Sequence, residues 1–245
     1  NITIMVKGGK EIAKKTFNER LGIVGGISIL GTSGLVSPMS KSALLQSIET
    51  DIKFRIKNSK NSIVYMSPGN MGATYLEKNF GIDSSKVALI SNFIGESIDY
   101  SVSNDAKGIV LCGDMGKLIK LSGGIMNTHS NDSDCRLELL SNAVFKSFYK
   151  NSDTKLLNDT MEGILSQNTT TAAVDIIKNA GYSDCFDIIA KKMLYYAYNR
   201  AFKAEIFYHK NRFDNIEEFK NNFMKFLKIL KKYFSKSKIY YIIVS

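Results

Sequence analysis

The sequence predicts an α/β protein, with a parallel Rossmann-like sheet that has helices on both faces, followed by a mainly helical C-terminal part. Up to about residue 133, short apolar runs alternate with glycine-rich turns and amphipathic segments. From residue 134 onward, helical periodicity dominates. Successive strand, turn and helix units favour right-handed crossovers between parallel strands. We therefore divide the chain into an α/β domain with ligand-binding loops, residues 1–133, and a mainly helical part, residues 134–245.

Apolar runs of strand length are followed by segments of helical periodicity. Four strands are predicted in the first part, at Ile23 to Leu30, Ile63 to Met66, Val87 to Ser91 and Ile109 to Cys112. The helices that follow them are predicted from Ser40 to Ile56 and then to about Asn79, Val102 and Met126. The later helices are predicted over 135–148, 155–166, 171–179, 184–209 and 215–234. Residues 238–244 are predicted to form a strand that rejoins the sheet.

Composition indicates a globular chain outside the membrane. The 245 residues are 44% hydrophobic with only 2 Pro, and no apolar stretch approaches the length that spans a bilayer. The first residues lack the pattern of a signal peptide, so a cytoplasmic location is expected. Because the chain begins with Asn1 and stops inside a predicted strand, both ends are expected to be cut or processed.

Net charge and cysteine content limit the partners, disulfides and metal sites that are expected. The net charge is +10, and residues 210–238 hold nine Lys or Arg against three acidic residues, on one face of an amphipathic helix. This basic face is either an ordinary solvated surface or an attraction for a polyanion, which could be a phosphate backbone or a small molecule with many carboxylates. No nucleic-acid motif accompanies it. The three cysteines lie far apart, so neither a disulfide framework nor a metal site is expected.

Four polar loops follow the predicted strands. In a doubly wound sheet, ligands bind at the carboxyl ends of the strands, so these loops are expected to share one crevice. The loops contain Gly31, Thr32, Ser33 and Gly34; Pro68, Gly69 and Asn70; Ser91 and Asn92; and Gly113 to Gly116. Neither the dinucleotide-binding fingerprint nor the Walker motif is present, which disfavours a Walker ATPase.

Two polar side chains near these loops are candidates for chemistry. His129 follows the alternating region among hydroxyl and amide side chains, and with an ordinary pKa near 6.5 a histidine can act as base, donor or ligand. Asp114 follows the fourth predicted strand. Either side chain could orient a substrate or handle a proton. His209, late in a long helix, is expected to be structural or solvated.

Several stretches in this part of the chain resemble the cobalt-precorrin-5B (C-1)-methyltransferases, the CbiD family. They are Lys14 to Asn18, Leu21 to Gly34 (LGIVGGISILGTSG), Pro38 to Ser40, Pro68 to Asn70, Ser91 to Glu96 (SNFIGE), Gly116 to Leu118, and Gly124 to Ser130 (GIMNTHS). Their order and spacing match over roughly residues 8–138. The family commonly has His where this chain has Asp114, an acidic residue where it has Lys41, and Gly where it has Cys135. Family members also have an additional N-terminal region, which this chain is expected to lack.

The resemblance implies transfer of a methyl group from S-adenosylmethionine to C-1 of a cobalt-containing corrin precursor in anaerobic cobalamin biosynthesis. It places Gly31 to Gly34, Pro68 to Asn70 and Asn92 around the cofactor or a substrate carboxylate. Asp114 and His129 would then act on the substrate. Two alternatives stay open: a truncated, inactive module that still binds a corrinoid or a nucleotide, and a nucleic-acid binder that uses the basic face of residues 210–238.

Overall fold

The computed structural model describes residues 5–14, 16, 23–28, 40–148, 153–208 and 239–244, and of residues 205–208 and 239–244 only the backbone. Its strands are β1 (Ile63–Ser67), β2 (Val87–Leu89), β3 (Gly108–Asp114) and β4 (Ile239–Val244). Its helices are α1 (Gly9–Ala13), α2 (Lys41–Asn58), α3 (Asn70–Phe80), α4 (Ile94–Ser103), α5 (Met115–Leu118), α6 (Arg136–Ser147), α7 (Thr154–Leu165), α8 (Thr170–Asn179) and α9 (Cys185–Tyr208). Short 3-10 helices cover Ser84–Lys86 and Ile119–Gly123.

The four strands form one sheet in the order β2-β1-β3-β4. β1 lies at the centre of the parallel part, with Tyr65 opposite Val87 of β2 and Val64 opposite Ile109 of β3. β4 joins the other side of β3 in the antiparallel direction. The α/β class is therefore confirmed. The full Rossmann-like arrangement, with helices on both faces, stays a prediction.

The first predicted strand, Ile23 to Leu30, is wrong over the described residues 23–28, which adopt no strand. Gly25 has a φ of 78°, in the left-handed region, and Val24 is 86% exposed. A buried strand needs extended backbone and covered apolar side chains, and Gly25 fails the first requirement while Val24 fails the second. The parallel part of the described sheet therefore has three strands instead of four. Residues 29 and 30 lie outside the described residues.

Two other predicted bounds shift for local reasons. The strand predicted to Ser91 ends at Leu89, because Ser91 takes a φ of 53° and turns the chain. The helix predicted to Met126 is short: α5 gives way to the 3-10 helix, which ends where Gly124 adopts a φ of 80°. Glycine at that position terminates a helix without steric cost. The helix predicted over 215–234 lies outside the described residues.

Side-chain caps start several helices where the sequence changes from loop to helical periodicity. Ser40 accepts a hydrogen bond from the Ala43 amide at the start of α2. Asp153 and Thr169 do the same for α7 and α8. Each oxygen satisfies an amide that has no partner inside its own helix. The caps explain why these three helices begin within about one residue of their predicted starts.

A single cluster of buried apolar side chains includes residues from both predicted parts of the chain. Met66 of β1, Ile98 of α4 and Leu140 of α6 are all fully buried in it. An ion pair between Asp99 and Arg200 also joins α4 to α9. The helical part thus packs directly on the sheet part, and the domain boundary between residues 133 and 134 stays a prediction.

None of the helices in the described ranges has the length and apolar character needed to cross a membrane.

The contact between α3 and β3 permits no side chain at Gly72. A Cβ there would lie 2.1 Å from the carbonyl oxygen of Cys112, well inside van der Waals contact. We predict that Gly72→Ala lowers the free energy of unfolding by about 3 kcal/mol, because backbone atoms must move apart. Gly163 of α7 is the matched control, since a Cβ there makes only ordinary contacts at 3.6 Å. Gly163→Ala should be neutral or stabilising by up to about 1 kcal/mol. Urea unfolding of both variants checks the pair, and equal effects would contradict it.

The buried thiol of Cys112 should make stability depend on alkaline pH. Burial raises the pKa of Cys112 from 9.0 to about 12, so the native thiol keeps a proton that the unfolded chain loses above pH 9. The free energy of unfolding should therefore fall as the pH rises from 9 toward 12, by at most about 1.4 kcal/mol per pH unit for this group. Cys112→Ala should show a shallower fall over the same window in denaturant titrations. An unchanged slope would contradict the prediction.

Candidate functional site at the carboxyl edge of the sheet

The loops that follow β1, β2 and β3 meet at one edge of the sheet, which we call the carboxyl edge. The amide of Ile90, after β2, donates to the carbonyl of Ser67 at the end of β1, at 2.9 Å. On the other side of β1, a Cβ on Gly113 would lie 2.8 Å from the ring of Pro68. The ends of all three strands are therefore in direct contact. This follows from their parallel order, because the strands all run toward the same edge.

The segment Pro68 to Asn70 leads from β1 into α3. Pro68 is buried, whereas Gly69 and Asn70 are exposed. The Ser67 hydroxyl donates to the carbonyl of Gly69 and fixes this turn. Among the described residues, no side chain caps the first turn of α3. Its backbone amides therefore face the carboxyl edge, where they suit an oxygen-rich group such as a carboxylate or a sugar hydroxyl.

Asn92, which follows β2, binds the loop around Thr128 and holds it at this edge. Its carbonyl accepts a hydrogen bond from the Thr128 amide at 3.0 Å. Beside it, Phe93 and Asn127 form an isolated antiparallel bridge, and the Gly95 amide donates to the carbonyl of Met126 at 3.2 Å. The stretches SNFIGE and GIMNTHS, separate in sequence, are thus paired in space. This pairing requires glycine at position 95, since a Cβ on Gly95 would lie 2.8 Å from Cβ of Met126.

His129 lies at the exposed end of this paired loop. Its Nδ1 accepts a hydrogen bond from the Asn131 amide at 3.1 Å, and its own amide donates to the Asn127 side chain at 3.2 Å. Nδ1 is therefore the unprotonated nitrogen of the neutral ring, which makes Nε2 the donor. The hydrogen bonds described for His129 stay within its own turn, and none of them joins it to Asp114.

Asp114, at the end of β3, caps α5. Its Oδ2 accepts a hydrogen bond from the Gly116 amide at 2.7 Å. Two cations lie close to this carboxylate. Burial lowers the pKa of Lys117 while Asp114 opposes that effect, and the pKa of Arg136 is raised chiefly by its hydrogen bonds to Asp134, with a smaller contribution from Asp114. Asp114 is therefore held in place by local contacts, and a role in catalysis would have to use this fixed orientation.

Lys120 was not among the residues predicted for the site, yet it organises the loop that carries His129. Its side chain is 2% exposed, and its Nζ donates to the carbonyls of Thr128 at 3.2 Å and Ser133 at 2.7 Å. A buried ammonium is tolerated only with such partners. The one signal in the sequence is a lysine within the apolar run Leu118 to Leu121.

Lys117 and Arg136 were also not predicted as site residues. The Lys117 ammonium donates to the carbonyl of Pro68 at 3.1 Å, and burial lowers its pKa while Asp114 opposes that effect. Arg136 makes a bidentate ion pair with Asp134 at 2.7 and 2.9 Å. Helical periodicity alone gives no reason to place these two side chains beside Asp114.

The first predicted cofactor loop lies outside the described residues. It comprises Gly31, Thr32, Ser33 and Gly34. Within the described ranges, no group of three or more His, Cys, Asp or Glu side chains could hold a metal ion.

Comparison with known proteins gives matches at both ends of this chain. Residues 1–38 match the sequence profile of CbiD, and residues 127–208 match that of the CbiD C-terminal domain. No solved structure matches the chain significantly.

The similar proteins include three named cobalt-precorrin-5B C(1)-methyltransferase. The one from Ruminiclostridium cellulolyticum is 42% identical over 209 residues, which is 84% of this chain and 52% of that protein. The one from Methanocaldococcus jannaschii is 38% identical over 79% of this chain and 51% of that protein. The one from Clostridium perfringens strain 13 is 38% identical over 90% of this chain and 59% of that protein. The chain thus spans about half the length of the curated relatives it matches.

Lys120 should control the order of the loop from Asn127 to Asp134. We predict that Lys120→Met, which keeps the length of the side chain but removes both hydrogen bonds, costs about 1 to 3 kcal/mol of stability. Amide hydrogen exchange should accelerate within this loop more than in β1. Lys107→Met is the matched control, because Lys107 is exposed. Unchanged exchange in the loop of Lys120→Met would show that Lys120 does not hold it.

Proposed function

Because the chain belongs to the CbiD family, we propose that it takes part in the methylation of C-1 of cobalt-precorrin-5B in cobalamin biosynthesis, with S-adenosylmethionine as the methyl donor. The observation that carries this proposal is the pairing of SNFIGE with GIMNTHS at the carboxyl edge. Two of the stretches on which the resemblance was based are in contact through Asn92 and Thr128. We infer that the two stretches contribute to one ligand site.

The carboxyl edge suits the chemistry. S-adenosylmethionine supplies an electrophilic methyl group on a sulfonium, and its transfer requires the nucleophilic carbon, the methyl group and the sulfur to lie in line. Holding two reactants in that geometry can supply much of the rate without a strong acid or base. The open first turn of α3, with Gly69 and Asn70, and the half-buried Asn92 offer fixed polar groups to bind and orient them.

Roles for the remaining predicted residues follow from their positions. His129 is exposed with its Nε2 as a donor, so it would donate a hydrogen bond to a substrate oxygen. Asp114 would act by holding the neighbouring cations rather than by proton transfer, since its carboxylate caps α5. Gly31 to Gly34 are proposed to complete the cofactor site on the grounds of the family resemblance alone.

The second candidate function is a binding module without turnover. One observation favours it: the capping bond of Asp114 restrains a residue predicted to be catalytic. Such a module would still bind a corrinoid or a nucleotide at the carboxyl edge but would not transfer a methyl group.

Binding of S-adenosylhomocysteine, measured by isothermal titration calorimetry, tests the proposed cofactor site. We predict that Asn92→Ala and Asn70→Ala each weaken binding about tenfold, because each loses one hydrogen bond to the ligand. Asn79→Ala is the matched control, since Asn79 is exposed at the opposite end of α3 from Asn70. Its affinity should not change.

The Ruminiclostridium cellulolyticum relative serves as the positive control. If it binds S-adenosylhomocysteine and this chain does not, the proposed activity fails for this chain. Binding by both, together with a methylated product detected by mass spectrometry from the relative alone, would favour the binding module. Methylation of cobalt-precorrin-5B by this chain would establish the proposed function.

A further inference from the structure

Three polar groups converge on Gly116 at the carboxyl edge. Oδ2 of Asp114, Oγ1 of Thr170 and one guanidinium nitrogen of Arg136 all lie within 4 Å of the point where a Cβ on Gly116 would stand. Two of these groups are supplied by the helical part of the chain, and Thr170 is buried. These polar groups thus surround Gly116 closely, with a cation on one side.

Arg136 is oriented so that one half of its guanidinium faces Gly116. Nε and Nη2 donate to the two oxygens of Asp134. Nη1 is the nitrogen that lies 3.9 Å from the Cβ position of Gly116. No hydrogen bond of Nη1 occurs among those described for this part of the chain. The ion pair with Asp134 therefore fixes the plane of the guanidinium and leaves the two hydrogens of Nη1 outside that pair.

Lys117 places a second cation near Asp114. The contact of its Nζ with the carbonyl of Pro68 uses one of the three ammonium hydrogens. Burial lowers the pKa of Lys117, which means that its charge is incompletely compensated by solvent. A bound anion would supply the compensation that burial removes.

Asp114 lies close to both cations and limits the kind of anion that fits. Its carboxylate is bound to the Gly116 amide, and it attracts both Lys117 and Arg136. Part of the positive charge is therefore already neutralised by the protein. A singly charged carboxylate can share the remaining donors, whereas a dianionic phosphate would meet stronger repulsion from Asp114. The observations thus favour a carboxylate over a phosphate.

We propose that Lys117 and Arg136 form a carboxylate-binding site at the carboxyl edge, and that this site recognises an acidic side chain of the corrinoid substrate. The inference rests on the proposed function and adds the residues that select the substrate. A carboxylate could also come from the amino-acid portion of S-adenosylmethionine, which carries the same group. The two sources are separated by testing each ligand alone.

The experiment uses three ligands and three variants of the full chain. The ligands are cobyrinic acid, a cobalt corrinoid with free carboxylates; cobinamide, in which amides replace them; and S-adenosylhomocysteine. The variants are Lys117→Gln, Arg136→Gln and the control Lys86→Gln. The control removes the same charge from an exposed position just before β2, at the end of that strand that lies away from the carboxyl edge. Dissociation constants are measured by titration calorimetry, and thermal unfolding verifies that each variant is folded.

We expect Lys117→Gln and Arg136→Gln each to weaken the binding of cobyrinic acid about tenfold or more, because each removes a charge-assisted hydrogen bond. Cobinamide and S-adenosylhomocysteine should be unaffected, and Lys86→Gln should change nothing. The loss should also shrink at high salt, since the wild-type affinity itself falls there.

Other results have distinct meanings. Weaker binding of S-adenosylhomocysteine with unchanged cobyrinic acid would support a carboxylate site but assign it to the cofactor, which overturns the substrate assignment. Wild-type binding that neither variant alters would overturn the site while leaving the proposed function intact. A wild-type chain that binds none of the ligands would overturn the proposed function and the site together. If a glutamine variant fails to fold, Lys117→Arg and Arg136→Lys replace the two glutamine variants. We then expect Lys117→Arg to retain its affinity for cobyrinic acid and Arg136→Lys to lose it.

Discussion

The parallel pairing of β1 with both β2 and β3 is the constraint on which the rest of the structure depends. It brings the ends of three strands to one edge, and it requires α3 to cross directly over β3. The close approach of Gly72 to the Cys112 carbonyl is the steric result of that crossing. Without this pairing, Pro68, Asn92 and Asp114 would have no reason to be neighbours.

The helical part of the chain is attached to this edge by polar contacts as well as by the apolar core. Asn92 holds the loop at Thr128, and the buried Lys120 ties the same loop to the 3-10 helix before it. Arg136, at the start of α6, then reaches back toward Gly116. The proposed site is therefore composite: the strand ends and α5 supply backbone groups and Lys117, and the helical part supplies Arg136.

Much of the fold could be predicted from apolar periodicity and turn residues, because these determine the start and end of each element locally. Ile63–Ser67 and Asn70–Phe80 lie close to their predicted positions for that reason. The strand predicted from Ile23 to Leu30 is wrong over residues 23–28, because Gly25 leaves the extended conformation there and burial depends on a partner that sequence does not specify. The antiparallel direction of β4 and the positions of Lys117 and Arg136 beside Asp114 depend on tertiary contacts, which periodicity does not encode.

The position of β4 has a consequence for how the chain avoids self-association. β3 is a seven-residue strand whose first six residues are buried, and one of its edges is covered only when β4, far along the chain, pairs with it over six residues. An uncovered apolar edge of that length is a template for pairing with other molecules. The opposite edge of the sheet, β2, has only three residues and presents little such surface. Protection of the described sheet against aggregation therefore depends on the pairing of β4 with β3. A delay in that pairing during folding would leave the edge of β3 exposed.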